Sequence, residues 1–160
     1  MTVDQQQPRA VTLTTPSDLE FTVERVFDHP IERVWATYTE PNLISQWWGE
    51  GTTVDRFDFR PGGGYRFIQN KGTDTESAFS GEFIEVSPSE RIVQTFGMEG
   101  PYGNPMTQTI EFRPAGEGTR LAITSRFSTT EERDGVMKYA EHGANWGWAR
   151  LDALLTRLAA

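Results

Sequence analysis

Few side chains in this sequence have the types and spacing that chemistry requires. The chain has 2 histidines and no cysteine, which excludes thiolate metal sites, disulfides and cysteine nucleophiles. His29 and His142 are too far apart in sequence to suggest a metal-ligand motif. No Gly-x-Ser-x-Gly motif is present, and Gly62-Gly63-Gly64 is typical of a hairpin turn. We therefore expect no metal, no cofactor and no nucleophilic catalysis.

Two residues are weak candidates for acid–base catalysis. Glu85 alternates with Gly81 and Phe83 in a predicted strand, and a buried carboxylic acid at that position could donate a proton. A solvated strand glutamate is the commoner arrangement. His142 precedes Gly143 on the predicted last helix and could border the same space. The residues favour a non-enzymatic protein and leave open whether any reaction is catalysed.

Amide side chains recur among the apolar residues of the predicted strands. Side chains alternate between the two faces of a strand, so Gln69, Gln94 and Gln108 point the same way as their apolar neighbours. Ser125 does the same in the last strand. Burying an unpaired amide costs roughly 1–3 kcal/mol, which favours a wet or ligand-occupied cavity. The alternative is that these side chains lie near strand ends and contact solvent.

Glycines and aromatic residues complete the candidate site. Gly143 and Gly147 lie on the apolar stripe of the last helix, where each costs roughly 1 kcal/mol relative to Ala. Close packing against the sheet or room for a ligand would explain them equally well. Ordinary core packing is the simplest role for any single aromatic, but as a group they favour a flat or hydrophobic ligand. The predicted ligand-binding residues are Trp47, Trp48, Tyr65, Phe67, Gln69, Phe83, Gln94, Phe96, Gln108, Ser125, Gly143, Trp146 and Gly147.

Turn residues and periodicity predict the elements that position these side chains. A strand near Phe21 is followed by two short helices, the first beginning at Pro30 and the second carrying Trp47 and Trp48. Six strands bounded by turns are predicted at 53–59, 64–70, 78–86, 91–96, 106–113 and 120–127. Overlapping capping boxes at 128–132 open a helix that runs to about Leu158.

This order predicts an α+β fold in one domain. A seven-stranded antiparallel curved sheet wraps around the long C-terminal helix, with two short helices after the first strand. The polar segment 1–17 is expected to be a flexible N-terminal tail, and residues 18–160 a single domain. A bent sheet around one helix leaves space between them, which favours a cavity.

Charge and hydropathy exclude several partners. The chain carries 15 Lys and Arg against 23 Asp and Glu, a formal charge of −8. Such a surface repels the phosphates of nucleic acids, so we expect no nucleic-acid partner. No apolar run approaches the roughly 20 residues of a spanning helix, and the first residues do not resemble a signal peptide. We expect a cytoplasmic protein without membrane insertion.

Short motifs in a fixed order resemble those of a known superfamily. They are Phe27-Asp28-His29-Pro30, Val34-Trp35, Thr39-Glu40-Pro41 with Leu43, Trp47-Trp48-Gly49, Arg60-Pro61-Gly62-Gly63 with Tyr65-Arg66-Phe67, Gly81-Glu82-Phe83-Ile84-Glu85-Val86 with Pro88 and Glu90-Arg91-Ile92-Val93, Gly118-Thr119-Arg120-Leu121, and Glu131-Glu132-Arg133-Asp134. Over about residues 19–158 the chain resembles the SRPBCC (START-like) superfamily. Its nearest branch is named after the activator of heat-shock protein 90 ATPase. The resemblance implies the helix-grip fold and binding of lipids, sterols, polyketides, plant hormones or other hydrophobic molecules, which some members cyclise or dehydrate.

The sequence departs from the family pattern in its last helix. The family usually has a Gly-Trp pair followed, three residues after the Trp, by Leu-Asp. Here Asn145-Trp146-Gly147-Trp148 precedes Leu151-Asp152, so either tryptophan could take the family position and reach the cavity.

The leading functional prediction is binding of a small hydrophobic ligand, which is lipid-, polyketide- or aromatic-like, between the C-terminal helix and the sheet. Trp47 or Trp48 is expected near the entrance. One alternative is a cyclase- or dehydratase-type enzyme that uses a cavity acid such as Glu85. Another is a chaperone-binding co-factor protein, by analogy with the namesake, although we expect this chain to lack the extra domain associated with that role. The sequence leaves open whether the chain forms a homodimer, and no residue pattern supports a contact with a chaperone.

Overall fold

The computed structural model describes residues 9–101 and 104–160. Its elements are β1 (Thr12–Ser17), β2 (Glu20–Phe27), α1 (Ile31–Thr39), α2 (Pro41–Trp47), β3 (Thr52–Phe57), β4 (Gly64–Gln69), β5 (Ser77–Ser87), β6 (Arg91–Met98), β7 (Met106–Ala115), β8 (Gly118–Arg126) and α3 (Thr130–Ala159). The described strands form one antiparallel sheet in the order β1-β2-β8-β7-β6-β5-β4-β3. The predicted α+β helix-grip architecture, with two short helices and a long C-terminal helix, is confirmed.

The number of strands differs from the prediction. The sheet has 8 strands rather than seven, because β1 forms within the segment that was predicted to be a flexible tail. β1 pairs with β2 through partners such as Leu13 and Val23. The Thr-rich composition of this segment is compatible with a strand as well as a loop, since Thr is β-branched. Residues 1–8 of the predicted tail lie outside the described residues.

Side-chain contacts fasten the β1–β2 hairpin to α3. The Val11 side chain is buried, and its backbone N–H donates to Asn145 Oδ1 at 3.1 Å. The Arg133 guanidinium donates to the carbonyl oxygens of Ser17 at 2.9 Å and Glu20 at 3.2 Å. The N-terminal segment therefore contacts the last helix both near its first turn and near its middle.

α3 begins and ends close to its predicted bounds. Thr129 is the N-cap, and its hydroxyl accepts from the backbone N–H of Glu132 at 3.1 Å, as the second capping box predicts. The helix has 30 residues and is about 45 Å long at 1.5 Å per residue.

The core lies against the second half of α3. The buried residues of this helix are Trp148, Leu151, Leu154 and Leu155, so its first half, from Thr130 to Gly147, contains no buried residue. Phe27 of β2 meets Trp148 edge-to-face, with ring centroids 5.7 Å apart. The hydrophobic effect therefore holds the second half of α3 on the sheet and leaves room beneath the first half.

A charged cluster ties the second half of α3 to β2 and to the start of α1. Arg25 is buried on the core face of β2, and its Nη2 lies 3.3 Å from Asp152 Oδ2. The other oxygen of Asp152 lies 3.4 Å from His29 Nε2. The Arg25 guanidinium also lies over the Phe27 ring, 4.3 Å from its centroid. A buried charge that pairs in this way fixes the position of the helix.

Candidate functional site

A cavity of about 330 Å³ lies between the first half of α3 and the inner face of the sheet. This volume is within the usual range for small-molecule sites, and its walls are mainly apolar. α2 and the following loop close one side with Trp47, Trp48 and Gly49, and β4 to β7 form the floor.

Most of the predicted ligand-binding residues line this cavity. They are Trp47, Trp48, Tyr65, Phe67, Gln69, Phe83, Gln94, Phe96, Gln108, Gly143, Trp146 and Gly147. Ser125 does not line it. Ser125 is only 3% exposed and lies within the sheet, with Phe21 and Gln108 as its neighbours on the adjacent strands.

Several lining residues were not predicted. They are Val23, Tyr38, Ile44, Gly49, Phe57, Ile92, Ile110, Ile123 and Ala144. Trp148, which the sequence left as an alternative to Trp146, also lines the cavity. Ile92, Ile110 and Ile123 lie two residues from Gln94, Gln108 and Ser125 on the same strand faces, so the same period-two pattern would have found them. Tyr38 had no such signal, because its place depends on how α1 packs against α3.

Gly143 and Gly147 open onto free space. A Cβ atom built on either residue meets no heavy atom within 4 Å, and both residues line the cavity. Close packing would bring atoms into that distance, as the approach of β6 does at Gly81 of β5, where a Cβ would lie 1.9 Å from the Thr95 carbonyl oxygen. Of the two explanations for the helix glycines, this geometry argues against close packing on the sheet.

Two of the predicted glutamines hydrogen-bond to each other on the cavity floor. Gln94 Nε2 donates to Gln108 Oε1 at 3.0 Å and to Tyr65 Oη at 3.4 Å. The Tyr65 hydroxyl in turn donates to the Thr95 carbonyl oxygen at 2.6 Å. Burial raises the pKa of the Tyr65 phenol above its ordinary value, so the hydroxyl keeps its proton. Gln94 and Gln108 therefore form a polar patch in the cavity wall. The alternative, that they lie at strand ends and contact solvent, is not what the structure shows for these two residues.

The tryptophans of the last helix occupy different depths. Trp148 is buried, and its Nε1 donates to Tyr38 Oη at 3.0 Å, while burial raises the pKa of that phenol. Trp146 is 48% exposed and lies under the Arg150 guanidinium, 5.2 Å from its ring centroid. Both residues line the cavity. Trp148 thus contributes to the inner wall and Trp146 to the outer rim.

The two tryptophans at the end of α2 differ in the same way. Trp47 is buried and donates through Nε1 to the Thr37 carbonyl oxygen at 2.8 Å. Trp48 is half-buried, and its ring centroid lies 4.9 Å from that of Phe67. Arg150 of α3 donates to the carbonyl oxygens of Trp47 and Gly49 at 3.2 Å each, which joins this loop to the helix. Trp48 is the residue of the pair nearer to the outside.

The two weak catalytic candidates lie outside the cavity. Glu85 is exposed and pairs with Arg91 at 3.2 Å. The register of β5 against β6 shifts between Phe83 and Glu85, so Val86, and not Glu85, shares the inner face with Phe83. His142 is exposed on α3 and does not line the cavity. The prediction that these side chains could face the ligand space is wrong, because a bulge interrupts the alternation and the helix turns His142 outward.

Within residues 9–101 and 104–160, no group of three or more His, Asp or Glu side chains is arranged to hold a metal ion. No helix in this part of the chain is long and apolar enough to cross a membrane.

The fold and the cavity define a START-like helix-grip domain. A family model described as "Activator of Hsp90 ATPase homolog 1-like protein" matches residues 28–156, and the chain belongs to that family. No curated protein matches the sequence significantly.

Solved bacterial structures share the fold. Protein Ms6760 from Mycobacterium smegmatis has a TM-score of 0.82 at 25% identity, over 94% of this chain and 99% of its own. A protein from Nitrosomonas europaea has a TM-score of 0.75 at 26% identity, over 90% and 98% of the two chains. A protein from Rhodobacter sphaeroides has a TM-score of 0.84 at 22% identity, over 92% and 99%, which shows a common fold alone.

Proposed function

We propose that the protein binds a small hydrophobic molecule, which is lipid-, polyketide- or aromatic-like, in the cavity beneath the first half of α3. The observation that carries this proposal is the pair of glycines on α3. Together they cost about 2 kcal/mol of helix stability relative to Ala. No close packing offsets this cost, because a Cβ on either residue would meet no atom within 4 Å.

The chemistry of the walls supports the same proposal. The described lining combines tryptophan, phenylalanine, tyrosine and isoleucine side chains with three glutamines, and contains no charged residue. Aromatic walls favour a flat or ring-containing ligand because of their large apolar faces. The amides supply hydrogen bonds that can orient it.

An enzyme of the cyclase or dehydratase type is less well supported. Such a reaction needs a group that donates or accepts a proton near the ligand. The described lining has no carboxylate or imidazole, and the phenol pKa values of Tyr38 and Tyr65 are raised by burial. Both phenols therefore hold their protons at neutral pH, and the Tyr65 proton is already donated to the Thr95 carbonyl oxygen.

Native mass spectrometry of freshly purified protein tests the proposal. We expect species heavier than the 18.1 kDa chain by the mass of one small molecule, which is released on denaturation. In parallel, protein stripped of bound molecules should take up the neutral naphthalene dye prodan with a saturable rise in fluorescence. Protein that carries no added mass and takes up no dye would contradict the proposal.

A further inference from the structure

The hydrogen bonds on the cavity floor run in one direction. A backbone carbonyl oxygen can only accept, so the Tyr65 hydroxyl must donate its single proton to the Thr95 carbonyl oxygen, 2.6 Å away. Tyr65 Oη can then only accept from Gln94, which fixes the Nε2 end of that amide towards it at 3.4 Å. The same nitrogen donates to Gln108 Oε1 at 3.0 Å. These hydrogen bonds link Gln108, Gln94, Tyr65 and Thr95 in a chain, which we call the relay. The Nε2 group of Gln108 is the free end of this relay.

The pairing of β5 with β6 leaves the Thr95 carbonyl oxygen available to accept the hydrogen bond from the Tyr65 hydroxyl. Opposite Thr95, the backbone N–H of Glu82 donates to the Thr95 hydroxyl at 2.9 Å. Next to it, Gly81 lets the phenol approach, because a Cβ there would lie 1.9 Å from the Thr95 carbonyl oxygen and 2.7 Å from Tyr65 Oη. A glycine and a side-chain hydrogen bond thus maintain the first link of the relay.

Gln108 ends this relay at the cavity. It is half-buried and lines the cavity, and its Nε2 donates to no protein acceptor in the described part of the chain. A donor that faces an apolar space without a partner costs free energy unless a ligand or water accepts from it. The described lining carries no charge that would offset the desolvation of an ionic ligand.

We infer that the cavity selects an uncharged hydrophobic ligand that carries a carbonyl-type hydrogen-bond acceptor, and that this acceptor binds Gln108 Nε2. The inference rests on the proposed function and specifies its ligand class. The Thr95 carbonyl oxygen can only accept, so the donors and acceptors of the relay cannot exchange roles. Gln108 therefore acts as a donor towards the ligand.

Two dyes that differ in one group test the inference in the unmodified protein. Prodan is uncharged and has one ketone, and its emission moves to longer wavelength when that ketone accepts a hydrogen bond. The matched probe is its analogue with a methylene in place of the ketone carbonyl. We expect prodan to bind about fivefold more tightly than the analogue, the ratio for one neutral hydrogen bond after allowance for its loss to water.

Gln108→Met identifies the donor, because Met has similar length and no N–H. In this variant the ratio of the two affinities should fall to about one, and bound prodan should emit at shorter wavelength. Gln46→Met is the matched control, since Gln46 is exposed on α2 and bonds only to Asn42 of its own helix. It should retain the fivefold preference. Circular dichroism verifies that each variant is folded.

The outcomes separate this inference from the proposed function. If the unmodified protein binds both dyes equally well, the proposed function stands and the selection for an acceptor is refuted. A preference that persists in Gln108→Met refutes Gln108 as the donor. If neither dye binds the unmodified protein, the proposed function and the inference both fail.

Discussion

Replacement of Gly147 by leucine separates a ligand site from a packed core. Gly147 lines the cavity and a Cβ built on it meets no heavy atom within 4 Å, so we expect the new side chain to enter the cavity. Leu is a far better helix former than Gly, which stabilises the fold by about 1 kcal/mol. For a chain of 160 residues this raises the melting temperature by roughly 2–4 °C. Contacts with the aromatic walls would add to that gain.

The same change should remove ligand binding. Four added carbon atoms occupy part of a 330 Å³ space, so a molecule that fills the cavity can no longer enter. We expect prodan affinity to fall by at least about tenfold, equivalent to 1.4 kcal/mol. Thermal unfolding followed by circular dichroism and a dye titration on the same preparation measure both effects.

Gly135→Leu is the matched control for this experiment. Gly135 is exposed in the same helix, does not line the cavity and also has no heavy atom within 4 Å of a built Cβ. This variant should gain comparable stability and bind the dye as the unmodified protein does. If Gly147→Leu instead loses roughly 1–3 kcal/mol, the penalty of an overpacked core, while dye binding is undiminished, the site is not a ligand cavity.

Two further predictions concern the N-terminal strand and the buried phenols. A chain that begins at Asp18 should melt several degrees lower than the full chain, because it loses β1 and the buried Val11; an unchanged melting temperature would contradict this. The pKa values of Tyr38 and Tyr65 are raised in the folded state, so their contribution to stability is fully present below the unfolded pKa of about 10 and is lost as the pH rises above it. Urea unfolding between pH 8 and pH 12 should show this decline, and Tyr38→Phe should make it shallower; equal slopes in both proteins would refute the assignment.

Local signals in the sequence were sufficient for most of the fold. The end of the β-region and the start of α3 follow from the Thr129–Glu132 capping box, which the structure contains. Alternation along β4, β6 and β7 predicted that Gln69, Gln94 and Gln108 share the inner face with apolar residues, and all three line the cavity. These predictions succeeded because each depends on the geometry of one element.

The predictions that failed concern residues whose positions depend on the register and packing between elements. Glu85 was predicted to face inward from alternation alone, but the register shift after Phe83 reverses the faces of β5. Ser125 has the correct face but lies in the part of the sheet that packs closely, away from the cavity. The choice between Trp146 and Trp148 required the position of Tyr38 on α1, which bonds to Trp148. A bulge and an interhelical contact leave no periodic signature in the sequence.

The two halves of α3 have different roles, because the second half packs on the core and the first half covers the cavity. All of its buried residues, from Trp148 to Leu155, belong to the second half, so apolar packing is strongest there, whereas Met137, Ala140 and Ala144 of the first half are only partly buried against the core. The first half spans the cavity and is also held by polar contacts, from Arg133 to the β1–β2 hairpin and from Asn145 to Val11. Polar surface contacts contribute less than core packing, since water competes for the same groups. The roof of the cavity is therefore the less stable part of the helix, and the segment from Val11 to Glu20, which includes β1, helps to secure it. Loss of β1 with Val11 should therefore weaken ligand binding as well as stability.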